Sequence, residues 1–88
     1  MNKKGYKLTK HAIKRMRDRN ISINEVEKVM ADPDIVYPGK RGEMNIIKQV
    51  KKDKKIRIVC IEEKMIKIII TAIVVNQIKG VINEHWNW

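Results

Sequence analysis

The amino-acid sequence predicts an α+β domain: two N-terminal helices packed on one face of a twisted antiparallel sheet of three to five strands. Three observations predict it. Two helix-start signatures occur before Pro33. After Pro33 the apolar spacing changes from a helical period to alternation. The later runs are rich in β-branched residues and separated by short polar turns. Helices in one block and strands in another indicate α+β rather than an alternating α/β order. The chain has 88 residues, the length of one domain, and 43% of them are apolar, as a folded chain requires. Phe is absent, so the core must be aliphatic.

Gly5–Leu8 can form a short first strand. Thr9 offers an N-cap hydroxyl. Lys10 to Arg19 contains neither Gly nor Pro and is rich in helix formers. At roughly 100° per residue, Ala12, Ile13 and Met16 share an apolar side. His11, Arg15 and Asp18 form a second stripe with Arg19 at its edge. Asn20 suits a C-terminal stop, because Asn tolerates a left-handed backbone. Ser22 and Glu25 then form a capping box, with Ile21 and Val26 as its hydrophobic staple. Val26, Val29 and Met30 supply the apolar stripe, and Asp32-Pro33 ends the helix. Residues 9–32 therefore read as a helical hairpin.

Ile35-Val36-Tyr37 starts a strand that Pro38-Gly39 stops. Met44 to Val50 puts Met44, Ile46 and Val50 on one face. Lys51–Lys55 is a polar hairpin turn, after which Ile56, Ile58 and Cys60 alternate with Arg57, Val59 and Ile61. Glu62–Lys64 is the next turn. Met65–Val75 is nearly all β-branched, as a central strand covered on both faces would be. It is too short for a membrane span, which needs about 20 residues, and it contains Lys67. Residues 35–75 thus read as the sheet and 76–88 as a C-terminal extension.

Charge points to a polyanionic partner. The net charge is +10, and eight of the basic residues fall in the first twenty positions against Asp18 alone. Three of the five arginines lie between positions 15 and 19, and Arg suits bidentate phosphate contacts. RNA is the expected partner, and a plain solvated surface is the alternative. The single cysteine, Cys60, permits no intrachain disulfide and fits a reducing cytoplasm. No apolar core follows Lys3-Lys4, so no secretory leader is expected. One Cys and two distant His make no metal-ligand set, and neither a metal nor another cofactor is expected.

The constellation with chemical potential is His11-Ala12-x-x-Arg15-Met16-x-Asp18-Arg19. His11 and Arg15 stand one helical turn apart, about 6 Å along the axis. A His can move a proton near neutral pH, and an Arg can oppose charge growing on a phosphate. Lys10, Lys14 and Arg17 cover the rest of that helix; Lys48, Arg57 and Lys67 add cations on the strands. The bland alternative is a solvated basic face in which Asp18 pairs with Arg15 or Arg17. The second helix carries Glu25 and Glu27 against Lys28, the wrong charge for a recognition helix in DNA.

Thr9 to Val26 follows the pattern T-x-H-A-x-x-R-M-x-x-R-x-I-S-x-x-E-V. It resembles the opening of a family of small bacterial proteins catalogued as a domain of unknown function and grouped with RelE/ParE-like and barnase-like ribonuclease toxins. The resemblance covers residues 6–75 and departs at Asn20, where Gly is usual. It implies a RelE-like fold and metal-independent endoribonuclease activity, in which the ribose 2′-hydroxyl attacks its own phosphate. The implied site is His11, Arg15 and Arg19 with Thr71, which shares strand parity with Lys67 and Ile69. The implied partner is an acidic antitoxin. Such cleavage needs both a base and an acid; His85, Lys48 and Lys67 are candidates for the second group. Trp86 and Trp88 can stack on a base or cover an apolar edge. A non-catalytic nucleic-acid-binding module and a protein-interaction element of a mobile system are the competing readings.

Overall fold

Both helices and the strand block are present in the computed structural model, which describes residues 5–75. The elements are β1 (Tyr6–Leu8), α1 (Lys10–Asp18), α2 (Ile23–Ala31), β2 (Ile35–Pro38), β3 (Met44–Lys51), β4 (Lys54–Glu63) and β5 (Ile66–Val75). The five strands form one sheet in the order β1-β5-β4-β3-β2. β2 to β5 are antiparallel neighbours, as alternation and short turns require. β1 adds a parallel edge on β5, pairing Tyr6 to Leu8 with Lys67 to Ile69. The sheet is therefore mixed. The parallel pairing follows from connectivity: the two helices and three strands between β1 and β5 supply the long crossover that a parallel pair needs.

The helix ends match their sequence signatures. Thr9 caps α1, its Oγ1 accepting from the Ala12 N–H at 3.0 Å. Beyond Arg19, Asn20 takes φ of 56°. The Ile21 N–H reaches the Met16 carbonyl at 2.8 Å and the Asn20 N–H reaches that of Arg17 at 3.3 Å. These two bonds make a Schellman motif, with buried Ile21 and Met16 as its apolar contact. Ser22 and Glu25 form the complete capping box.

Both helices lie on one face of the sheet, α1 over β5 and α2 chiefly over β3. Ala12, Met16, Val26 and Val29 meet Ile46, Ile56, Ile58, Cys60, Ile69 and Ala72 there. Burial pushes the Cys60 thiol pKa up, as for a packing residue rather than a reactive one. Among the described residues no helix covers the other face, yet its middle is buried, as expected for a strand covered on both sides. Asn45, Arg57, Val59 and Thr71 are at most 8% exposed there, whereas Ile61 and Ile66 towards the β4–β5 turn are exposed. β5 also contains a bulge: Ile69 stands opposite Cys60, but Thr71 stands opposite Val59. The extra residue breaks the expected parity, so Thr71 does not share the register face of Lys67 and Ile69. The β3–β4 hairpin is tighter than the expected Lys51–Lys55 turn, because Lys51 and Lys54 already pair. No described helix is long and apolar enough to cross a membrane.

Glu25 ties the helical hairpin to the sheet. Its Oε1 accepts from the Ser22 N–H and from Lys54 Nζ, each at 3.0 Å, and Lys51 Nζ lies 3.8 Å from Oε2. Lys54 Nζ also donates to the Asn20 carbonyl at 2.8 Å. Burial raises the Glu25 pKa, but the Ser22 N–H and the Lys54 ammonium outweigh it and hold the carboxyl below its ordinary 4.5. A depressed carboxylate pKa contributes stability above its unfolded-state value. That stability is lost as pH falls through the folded value. Glu25→Gln should therefore destabilise the protein by about 1–2 kcal/mol at pH 7. The gap to wild type should close as the pH drops below 4.5. Urea unfolding across pH 3–7 checks this, and a pH-independent gap contradicts it.

Candidate functional site

α1 carries the site. Ala12 and Met16 are buried against the sheet, which turns His11, Lys10, Lys14 and Arg17 to solvent. Arg15 and Arg19 are half-buried. Both ends of the helix are tied to β5. At the start, the Thr9 N–H and Oγ1 both donate to the Ile69 carbonyl, at 3.2 and 3.1 Å. At the end, Arg19 Nη1 donates to the Ala72 carbonyl at 2.8 Å and lies 3.5 Å from Thr71 Oγ1.

Between these anchors, Arg15 Nε donates to His11 Nε2 at 3.3 Å on the exposed surface. The one-turn spacing read from the sequence thus becomes a direct contact. In this arrangement the Nε2 lone pair is occupied and the proton of the neutral ring sits on Nδ1. The bond is long and solvent-exposed, so a better acceptor for Arg15 can break it.

The acidic residue of the stripe does not neutralise the pair. Asp18 bonds to Lys14 Nζ at 3.1 Å, not to Arg15 or Arg17, and this hydrogen bond leads the lowering of its pKa. An exposed i,i+4 pair of this kind contributes little to stability. Lys10 and Arg17 have no acidic partner among the described residues. The outer side of α1 thus presents a nearly continuous cationic surface around His11.

The structure brings together four of the residues expected to act, as two contacts rather than one cluster. His11 meets Arg15, and Arg19 meets Thr71. Thr71 is 8% exposed, so it reaches a ligand less readily than His11. Lys48 lies on β3 under the end of α2, paired with Asp32 at 3.5 Å and Asp34 at 3.6 Å. One strand, β4, separates it from β5, an interval of about 10 Å across the sheet. It is offset along the strands as well, since Lys48 pairs with Ile56 whereas Ile69 pairs with Cys60. Lys67 stands opposite Tyr6 and Glu62. Neither lysine bonds to His11 among the described residues. Arg57 is 2% exposed, belongs to the face away from the helices, and donates to Tyr37 Oη at 3.2 Å. It is not part of the α1 surface. His85, Trp86 and Trp88 lie outside the described residues. No described group of His, Cys, Asp and Glu could hold a metal ion.

Sequence reasoning missed the second role of Thr9. Its N-cap signal was legible, but its bond to Ile69, 60 positions away, has no local signature.

The architecture and the site define a small basic α+β protein with a helical hairpin on one face of a five-stranded mixed sheet. The chain belongs to the family described as a domain of unknown function, DUF4258, whose model matches residues 8–74. That span runs from the end of β1 almost to the end of β5 and includes the whole site. No curated protein and no solved structure matches the chain.

Proposed function

We propose that this chain is an RNA-binding, RelE/ParE-like endoribonuclease that cuts single-stranded RNA without a metal ion. The observation that supports this most is the exposed His11–Arg15 contact at 3.3 Å on a cationic helix. An arriving phosphodiester offers Arg15 a charged acceptor, which forms a stronger bond than an imidazole does. As Arg15 turns to the non-bridging oxygens, His11 Nε2 is released to take the proton of the ribose 2′-hydroxyl. The O2′–P bond forms, the P–O5′ bond breaks, and Arg15 opposes the charge that grows on phosphorus oxygens. The departing O5′ takes a proton from water, and the product ends are a 2′,3′-cyclic phosphate and a 5′-hydroxyl. An acidic antitoxin would be the partner covering the same cations.

One observation favours a second reading, nucleic-acid binding without cleavage. Among the described residues, His11 has Arg15 as its hydrogen-bond partner and no further acid or base bonded to it. The test is incubation of wild type and His11→Ala with single-stranded RNA in EDTA. Cleavage by wild type alone is expected. Equal cleavage by both, or by neither, overturns the His11 mechanism. RNA affinity that falls with salt at a log–log slope of about −2 to −3, with no cut products, assigns the chain to the binding reading.

A further inference from the structure

α1 has nine residues, fewer than an isolated helix needs to hold together in water. Its placement must come from packing and from ties to its neighbours. Ala12 and Met16 give it a narrow apolar seat. Of the remaining ties, one at each end goes to the same strand, β5, and Lys54 of β4 adds a bond to the Asn20 carbonyl just beyond the helix.

The strand is shaped to receive them. Carbonyls along a regular strand point alternately to its two edges, so those of Ile69 and Ala72, three positions apart, would face opposite ways. Here both accept from α1: Ile69 from Thr9 at 3.1 and 3.2 Å, Ala72 from Arg19 at 2.8 Å. The register shift between them supplies the extra residue that turns both toward the same edge. That edge is open to α1 because β1 ends at Leu8, opposite Ile69. The Thr9 hydroxyl does two things at once, accepting from Ala12 to start the helix and donating to Ile69 to hold it on the sheet.

We propose that Thr9 and Arg19 are positioning residues: with the β5 bulge they clamp both ends of α1 to one strand and set where His11 and Arg15 stand. This rests on the reading of His11 and Arg15 as the phosphodiester site. It gives Arg19 a role different from holding an adjacent phosphate, because its Nη1 is committed to the strand. Thr71, beside that guanidinium, belongs to the clamp as well.

The test compares Thr9→Val, which keeps the shape and removes the hydroxyl, with Thr9→Ser, which keeps the hydroxyl. Two readouts are taken on folded protein well below its melting temperature. One is the nitrogen NMR signals of the His11 ring, identified by their loss in His11→Ala. The other is affinity for a short single-stranded RNA. Thr9→Val should move the ring signals and weaken binding about fivefold, and Thr9→Ser should restore both. Unchanged ring signals and affinity in Thr9→Val overturn the proposal. If Thr9→Val does not fold, Arg19→Gln decides by the same readouts: displaced ring signals support the clamp, and unchanged ones overturn it. The ring signals report on the clamp without RNA. Wild-type RNA affinity in both His11→Ala and Arg15→Ala would instead sink the site reading, leaving the clamp to be judged by the ring alone.

Discussion

Arg15→Ala should slow RNA cleavage far more in the wild-type background than in His11→Ala. The reason is the contact between them: Arg15 Nε engages His11 Nε2, so the two side chains enter the reaction as a unit. Loss of a general base costs about 10²–10⁴ in rate, and loss of a charge-stabilising donor about 10²–10³. Independent action would multiply these. Groups that act together do not multiply, because once one is gone the other has little left to assist. The double variant should therefore be no more than about tenfold slower than His11→Ala. Single-turnover rates for the four proteins close the cycle. A multiplicative result would mean that Arg15 holds phosphate without regard to His11. Thermal unfolding should barely distinguish His11→Ala from wild type, since surface substitutions of this kind stay within about 0.5 kcal/mol.

Much of this architecture was legible in the chain because it is encoded locally. Thr9, Asn20 and the Ser22–Glu25 box each act within four residues of themselves, and the structure uses all three as helix punctuation. The alternation of Ile56, Ile58 and Cys60 with Arg57, Val59 and Ile61 likewise survives, the first three joining the core under the helices, because a strand without a bulge turns successive residues to opposite faces. What the sequence did not carry was long-range. The parallel pairing of β1 depends on β5, some 60 positions later. The β5 bulge has no Gly to announce it, since the run Ile69-Ile70-Thr71-Ala72 reads as unbroken strand. That single extra residue is why Thr71 changed register face.

The site divides along the same line. The His11–Arg15 contact follows from helical spacing alone and could be read directly. Arg19 and Arg15 look equivalent by spacing, yet the structure separates them: one faces the ring and the other anchors the strand edge. Lys48 and Arg57 looked like cations available to phosphate, but their partners arrive from other elements, Asp32 and Asp34 for one and Tyr37 for the other. A lysine or arginine on a strand cannot be assigned to a surface until its cross-strand neighbours are known. Cations on an exposed helix face can be assigned much sooner, which is why Lys10 and Arg17 remain where the sequence put them.

Ile58→Ala should produce the largest stability loss of any single truncation on β4. Ile58 is fully buried and sits midway between Ile46 on β3 and Ala72 on β5, under the helical hairpin. Ala72 offers little bulk to close the resulting void, and the helices above are held by their own caps and ties, so the site collapses poorly. Such a change costs about 2–5 kcal/mol. A domain of this length has roughly 4–13 kcal/mol in total, so the variant should be partly unfolded at physiological temperature. Ile61→Ala on the same strand is the control. Ile61 points to the opposite face and is 39% exposed, so its truncation should cost about 1 kcal/mol or less. Urea unfolding of the two variants tests which face of β4 carries the core. Equal losses would contradict the placement of both helices on the Ile58 face. A large loss confined to Ile58 would tie the seat of α1, and with it the position of His11, to the aliphatic core beneath.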